Sequence, residues 1–170
     1  MQLNLLQQRD AEQLLQFESA NRAWFDQFIE DRGDWFYTRE GMRAHIADFH
    51  EKYAAGSLYP CLVLGDDGHI VGRVNLRDIE RQSGTARLGY RVAAHCAGRG
   101  VASAAVIQVL EIARVHLHLQ QLIAHVSVEN LASIRVLEKS GFARTGMRDR
   151  KSVVQGRALE CHEYLYSFDA

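Results

Sequence analysis

The hydrophobic pattern of the sequence changes abruptly at residues 97–102. Residues 86–92 alternate apolar and polar side chains, which is typical of a strand with one buried face. Residues 100–117 are mostly apolar, and Gln108, Glu111 and Arg114 form a narrow polar stripe at a spacing of three, which is typical of a helix packed against a sheet. A short junction containing two glycines therefore converts a strand into a long helix, and the chain requires a sheet with at least one helix against it.

The rest of the chain supplies further strands and helices, with no linker rich in Pro, Gly or Ser. Turn signals at 65–68 and 83–84 separate three consecutive strands, which predicts a meander. Asp10 and Thr38 begin two early helices, and Asn130 begins a short late one that Gly141 ends. The strands are predicted near residues 3–6, 58–64, 70–79, 86–92, 122–128, 142–149 and 158–168.

This element order predicts the fold class. Strands and helices are mixed along the sequence, and the consecutive strands are joined by short turns, so we expect an α+β fold, a mixed α/β layer with a largely antiparallel sheet. The 170 residues suit one core and one domain, spanning residues 1–170.

Composition excludes several functional classes. Lys plus Arg number 20 and Asp plus Glu 21, so the basic excess of a nucleic-acid-binding protein is missing and we expect no direct nucleic-acid partner. Every apolar stretch is soon interrupted by polar residues, and the N-terminus lacks an export signal, so we expect a cytoplasmic protein with no membrane partner.

The cysteines and histidines do not predict a metal site. Cys61, Cys96 and Cys161 have no CxxC spacing, and without an export signal they are expected to be reduced thiols. Two imidazoles lie on one helix face when they are three or four residues apart. The closest of the eight histidines are two or five residues apart, so they do not predict a metal site on a helix.

The junction at residues 97–102 is a candidate phosphate-binding loop. Its glycines let backbone N–H groups approach an anion, the helix start adds partial positive charge, and Arg99 adds a formal charge. It does not match GxxxxGK[ST], and a dinucleotide fingerprint would need glycine at Ser103 and an acid about 20 residues on. A plain helix-entry turn with glycines for steric reasons remains open at this point.

Three longer segments carry a family resemblance: LGYRV at 88–92, AGRGVASAA at 97–105 and VSVENLASIRVLEKSGF at 126–142. With the weaker matches IVGRVNL, YLYSF and ANRAWFDQF, the chain resembles the GCN5-related N-acetyltransferase (GNAT) superfamily and, within it, the RimJ/RimL-type group. The resemblance implies the GNAT fold, with a central twisted sheet flanked by helices and strands that splay apart at the acetyl-CoA site. It also implies acetyl-CoA as co-substrate and no metal.

The resemblance further implies which residues bind acetyl-CoA. The pyrophosphate would lie on the loop amides, with Ala97 replacing the usual long polar first residue, and the pantetheine arm would lie between the strands ending at Val92 and Val128. Asn130 also has the simpler interpretation of a helix N-cap. The implied cofactor-binding residues are Val92, Ala97, Gly98, Arg99, Gly100, Val101, Ala102, Asn130 and Ser133.

For the chemistry, the resemblance implies direct attack of a neutral amine on the thioester, with a backbone N–H near Val92 taking the carbonyl charge. Leu137 stands where many relatives have a tyrosine acid, so that acid is absent or comes from elsewhere. His125 occupies the position of a glutamate base in some relatives, and a histidine suits cytosolic pH. A hydrogen-bonded strand histidine with no catalytic role is the alternative interpretation.

The acceptor is predicted to be the N-terminal α-amine of a protein or peptide. An α-amine is far more often neutral at cytosolic pH than a lysine, which suits a chain with few acid–base residues. The candidate acceptor-binding residues are Trp24, Trp35, Asn75 and Tyr90. Two alternatives stay open: acetylation of a small amine such as a polyamine, amino acid or antibiotic, favoured by a deep acidic pocket, and a non-catalytic acetyl-CoA sensor. A homodimer is also left open.

Overall fold

In the computed structural model, residues 1–146 and 150–168 are described. Their strands are β1 Gln2–Leu5, β2 Leu58–Leu64, β3 Ile70–Glu80, β4 Thr85–Val92, β5 Gln121–Ser127, β6 Ala143–Arg144, β7 Arg150–Val154 and β8 Arg157–Ser167. Their helices are α1 Ala11–Ala20, α2 Arg22–Phe25, α3 Arg39–Ala54, α4 Val101–Val115 and α5 Leu131–Lys139. Short 3₁₀ turns lie at Gln8–Asp10, Asp34–Tyr37 and Ala94–Cys96.

Among the described residues the strands form one sheet in the order β1-β2-β3-β4-β5-β8-β6, and β7 also pairs with β8. Every pair is antiparallel except β4 with β5, which run parallel because α4 crosses between them. The mixed α/β fold with a mostly antiparallel sheet is therefore confirmed.

Two apolar clusters lie on opposite sides of the sheet. One lies beneath α4 and α5 and includes Val74, Leu76, Val106 and Leu122, each fully buried. The other lies among α1, α2 and α3 and includes Leu14, Phe25, Met42 and Ile46. Helices therefore pack against both faces of the central strands, and each face contributes to an apolar cluster.

Polar side chains begin the helices much as predicted. Thr38 Oγ1 accepts the N–H of Gly41 at 3.0 Å at the start of α3, and Asn130 Oδ1 accepts the N–H of Ser133 at 3.0 Å at the start of α5. Each satisfies one N–H that has no partner within its helix. The carboxylate of Asp10, by contrast, accepts the N–H of Gln7 at 2.8 Å and caps no residue of α1.

Three expectations are corrected. The strand predicted at 142–149 has only two residues in β6, and its last three predicted residues lie outside the described ones. The hairpin partner β7 was not predicted, although it pairs with the first half of β8. The face of β4 that carries Arg87 and Arg91 was expected to be exposed, but α1 and α3 cover its end, and Arg91 is half-buried against Glu18.

No helix among the described residues is long and apolar enough to cross a membrane.

Candidate active site

The parallel strands β4 and β5 separate part-way along their length. They pair only from Thr85 opposite Gln121 to Leu88 opposite Ala124. Beyond that point β4 keeps its pairing with β3, and β5 keeps its pairing with β8. A cleft therefore opens between residues 89–92 and 125–127, where backbone groups of a central strand lack a strand partner.

The backbone of β4 turns specific groups toward this cleft. The N–H of Ala93 donates to the carbonyl of Val71 at 2.9 Å, so Ala93 bonds toward β3. Successive residues of a strand direct their N–H and C=O groups to opposite sides, so Val92 and Tyr90 face the cleft instead. The indole N–H of Trp24 donates to the carbonyl of Val92 at 3.2 Å, which agrees with this direction.

The junction after β4 supplies a set of unpaired amides. Gly98 and Gly100 have positive φ values of 73° and 81°, and a Cβ on either would meet no atom within 4 Å. Among described residues, no backbone carbonyl accepts from the N–H groups of Gly98, Gly100, Val101, Ala102 or Ser103. Since α4 is 15 residues long, its start also carries the partial positive charge that attracts anions.

Two residues of the predicted loop differ from the rest because their N–H groups already have backbone acceptors. The N–H of Ala97 donates to the carbonyl of Ala94 at 3.1 Å, and the N–H of Arg99 donates to the carbonyl of Cys96 at 3.2 Å. Their amides are therefore already used within the turn. The Arg99 side chain is exposed and makes no ion pair with a described residue, so its guanidinium is available to an anion.

Tyr90 joins β4 to α5 beside the cleft. Its hydroxyl lies 2.8 Å from the Ser133 hydroxyl and donates to the Ser133 carbonyl at 3.2 Å. Burial raises the pKa of Tyr90 to about 12, so the phenol stays protonated at neutral pH. The Ser133 N–H is held by Asn130, which fixes the position of both hydroxyls.

The opposite face of the same strands carries a polar cluster. Arg73 lies opposite Arg91, Asn75 opposite Gly89, and Arg77 opposite Arg87. A cavity of about 430 Å³ opens over the centre of this face. It is lined by Phe49, Lys52, Ser57, Leu58, Arg77, Asp78, Arg87, Leu88, Gly89 and His125.

His125 reaches this cavity from β5 and has an acidic neighbour. Its Nε2 lies 3.3 Å from Oε2 of Glu163, directly across on β8, and both side chains are about one-fifth exposed at 21% and 20%. Thr145 Oγ1 donates to the other carboxylate oxygen of Glu163 at 2.9 Å. The carboxylate is thereby oriented, and it can in turn orient the imidazole.

A family model described as Acetyltransferase (GNAT) domain matches residues 1–143. The chain belongs to the GNAT acetyltransferase family. The probable N-acetyltransferase YjcK of Bacillus subtilis is 36% identical to it over 162 residues, covering 94% of this chain and 89% of that protein. The resemblance inferred from the motifs is thus confirmed.

Solved structures of the GNAT fold match the whole architecture. The ribosomal-protein-S5-alanine acetyltransferase of Vibrio fischeri has a TM-score of 0.92 at 20% identity, covering 98% of this chain and 92% of that one. The spermidine N-acetyltransferase of Vibrio cholerae, solved with CoA and spermine, has a TM-score of 0.83 at 18% identity, covering 98% and 94%. Proteins of this fold therefore act on both protein and small-molecule amines.

The predicted acceptor residues are distributed over different parts of this GNAT site. Asn75 lies opposite Gly89 on the cavity face, and Trp24 lies at the end of β4 through its bond to Val92. Tyr90 lies instead with the cofactor candidate Ser133. Trp35 is 62% exposed, and its ring contacts no aromatic ring of a described residue.

Sequence reasoning missed the charged residues around the site. Glu18 on α1 accepts from Arg73 at 2.8 Å and also pairs with Arg91, and the exposed fractions of Glu18 and Arg73 side chains are only 1% and 2%. His45 Nε2 accepts from Arg73 at 2.9 Å, and burial together with the nearby arginines lowers the pKa of His45 to about 2. The alternating arginines were visible in the sequence, but Glu18, His45 and Glu163 carried no local signal.

Proposed function

We propose that this GNAT protein transfers an acetyl group from acetyl-CoA to the N-terminal α-amine of a protein or peptide. The observation that carries the proposal is the splayed cleft, which has unpaired amides at one end and a cavity containing His125 on the other face of the sheet. A donor and an acceptor can therefore approach the same stretch of β4 from opposite faces.

The donor would lie along the α4 side. The amides of Gly98, Gly100, Val101 and Ala102 suit the pyrophosphate, because backbone N–H groups and the start of a long helix both favour anions. Arg99 adds charge from the exposed side of the loop. The backbone groups of Tyr90 that face the cleft would pair with the pantetheine arm as a missing strand would, next to Asn130 and Ser133.

The transfer then needs three groups near the end of β4. The neutral amine attacks the thioester carbonyl, and the N–H of Val92 stabilises the negative charge that develops on the carbonyl oxygen. His125, oriented by Glu163, removes the proton from the attacking amine. Coenzyme A leaves as the thiolate, and the bonded hydroxyls of Tyr90 and Ser133 border the cleft as proton donors in place of the tyrosine that Leu137 replaces.

The α-amine is favoured as acceptor by its own chemistry. With a pKa of 7.7–8.0, roughly a fifth of α-amines are neutral at cytosolic pH, against on the order of one in a thousand lysines. A polyamine acceptor would call for an acidic pocket, whereas the cavity beside His125 contains Lys52, Arg77 and Arg87 against Asp78 alone. A protein of the same fold, the ribosomal-protein-S5-alanine acetyltransferase of Vibrio fischeri, has a protein acceptor, which supports a protein acceptor here.

The donor site is tested by Gly100→Glu. A negative side chain in the open space at the start of α4 should weaken coenzyme A binding at least about 100-fold, because it replaces an anion-binding position with an anion. Gly68→Glu is the matched control, since Gly68 has a φ of 79° and equally open surroundings in the β2–β3 turn. Equal coenzyme A affinities of the two folded variants by calorimetry would refute the proposed donor site.

The proposed base is tested by His125→Ala and Glu163→Gln. The first should lower kcat about 100-fold and flatten the pH profile of kcat, because a general base is lost, and the second should weaken both features. His116→Ala, in an exposed histidine at the end of α4, should leave the profile as in the wild type. If His125→Ala keeps both rate and profile, proton removal takes another route.

The acceptor class is tested with peptides that begin with Ala or Ser, offered beside the same peptides blocked at the N-terminus and bearing a lysine, and beside spermidine. We expect the highest kcat/KM for the free α-amine. Comparable transfer to lysine or to spermidine would reject the α-amine assignment while leaving the acetyltransferase activity in place.

A further inference from the structure

The cavity beside His125 has an excess of positive charge. Of its basic side chains, Lys52 pairs with Asp48 at 2.7 Å and Arg87 pairs with Asp78 at 3.0 Å. The Arg77 side chain makes no hydrogen bond or ion pair with any described residue, and the ring of Phe49 lies 5.9 Å from its guanidinium. One cation at the cavity thus lacks a bonded anion among the described residues.

The register of β3 and β4 places arginines directly opposite one another, which adds to the excess of positive charge. Arg77 lies directly opposite Arg87, and Arg73 lies directly opposite Arg91, with Asn75 and Gly89 between the two pairs. Like charges directly opposite one another destabilise a sheet. In the pair formed by Arg73 and Arg91, Glu18 bonds to both guanidinium groups and offsets one of their two charges. The outer pair, formed by Arg77 and Arg87, shares the single charge of Asp78, which bonds to Arg87.

The space beside this outer pair is suited to an amine. A Cβ added at Gly89 would meet no atom within 4 Å, so the cavity is open above that residue. Asn75, opposite Gly89, is only 5% exposed, and its carboxamide oxygen has no hydrogen-bond partner among the described residues. That oxygen is buried beneath the strand pair, and Asn75 is not one of the residues that line the cavity, so the open space above Gly89 carries the argument.

We infer that the acceptor carries an anionic group, a carboxylate or phosphate, close to its reacting amine. The inference rests on the proposed function and further places the reacting amine in the cavity above Gly89, beside His125. The anion binds between Arg77 and Arg87. This pair lies two residues along the strands from Gly89, a distance of about 7 Å at 3.3–3.4 Å per residue. That separation fits the side chain of the second residue of an extended peptide, so the preferred acceptor has Asp or Glu directly after its first residue.

The test compares peptides that differ only at residue 2: Ser-Asp, Ser-Asn and Ser-Lys, each followed by the same neutral sequence. The wild type should have a kcat/KM for Ser-Asp at least about tenfold above that for Ser-Asn, with Ser-Lys lowest, because a charge-assisted bond to arginine is added only for Asp. Raising the ionic strength should reduce the ratio, since exposed charges are screened.

Arg77→Gln should bring the Ser-Asp to Ser-Asn ratio close to one. Arg114→Gln is the control, because Arg114 is an exposed arginine on α4, on the other side of the sheet, and should keep the wild-type ratio. A wild-type ratio near one, or a ratio that Arg77→Gln leaves intact, would overturn the inference while the α-amine proposal stands.

Two further arms separate the possible failures. If free aspartate is acetylated as well as Ser-Asp, the anionic preference stands and the peptide acceptor is rejected. If only spermidine is acetylated, the anionic preference and the peptide acceptor are both rejected. If no peptide turns over, the affinities of the N-acetylated Ser-Asp and Ser-Asn peptides are measured by calorimetry in the presence of coenzyme A. Tighter binding of the Asp peptide that Arg77→Gln removes supports the inference, and equal or absent binding overturns it.

Discussion

The two faces of strands β3 and β4 have the same alternating spacing and opposite chemistry. On the α4 side, Val74, Leu76, Ala86 and Leu88 are at most 7% exposed and pack within one apolar cluster. On the α1 and α3 side, the arginines range from Arg73, which is only 2% exposed, to Arg77, which is exposed. One face is stabilised by removing apolar area from water, and the other requires hydrogen bonds and counter-charges before it can be covered at all.

The two faces therefore differ in what stabilises them. Replacing a buried ion pair by apolar residues of similar volume is often neutral or stabilising, so the arginine face is not explained by stability. The arginines lie on the same side of the sheet as the cavity and His125, whereas the α4 side is a closely packed apolar cluster that supports the strands. Substitutions on the two faces should therefore change the free energy of unfolding for different physical reasons.

The largest effect is expected from Glu18→Gln. Removing this carboxylate leaves Arg73 and Arg91 without their shared counter-charge, which should lower the free energy of unfolding by about 3–5 kcal/mol. Glu12→Gln is the matched control on the same helix, since Glu12 pairs with Arg39 in solvent and should cost at most about 1 kcal/mol. Equal losses in urea denaturation would contradict the role assigned to Glu18.

A comparable or smaller loss is expected from Leu122→Ala on the apolar face. Leu122 is 0% exposed, and its removal should leave a cavity that costs about 2–5 kcal/mol. The control is Ile107→Ala, because Ile107 is 59% exposed on α4 and should change stability by about 0.5 kcal/mol or less. The loss at Leu122 should not depend on salt, and a strong salt dependence would argue against a purely apolar face.

The smallest effect is expected from the titration of His45 on the arginine face. The pKa of His45 is lowered to about 2 in the folded protein, mainly by burial and then by Arg73 and other arginines. The unfolded chain therefore takes up a proton below about pH 6.5 that the folded chain does not, so stability falls with decreasing pH by up to about 1.4 kcal/mol per pH unit. The loss continues as the pH falls toward about 2.

His45→Gln should remove that slope while keeping an acceptor for Arg73. The measurement is the free energy of unfolding at pH 7, 6 and 5, where the carboxylates still carry most of their charge. His116→Gln serves as the control, because His116 is exposed and its replacement should leave the slope as it is. A slope that is equal in His45→Gln and the wild type would mean that His45 titrates normally in the fold.

Much of the architecture could be predicted because it depends on neighbouring residues. The bounds of β2 agree with the prediction, the Thr38 and Asn130 caps lie where expected, and the change of hydrophobic period marks the start of α4 within one residue. Propensities, caps and turns act within a few positions, so the sequence carries them directly. The predicted strand at 142–149 was wrong because its pairing depends on the partner β8, not on its own pattern.

By itself, the sequence determined the order of the main elements as far as α5, the glycine junction at 98–100 and the family. Only the tertiary structure decided which charges meet: Glu18 with Arg73 and Arg91, His125 with Glu163, and Tyr90 with Ser133. Those partners are far apart in the chain and are brought together by strand register and helix packing. A charge has no local signature of its partner, and for that reason the arginine face could be taken for a solvent-exposed one until the fold placed Glu18 and His45 against it.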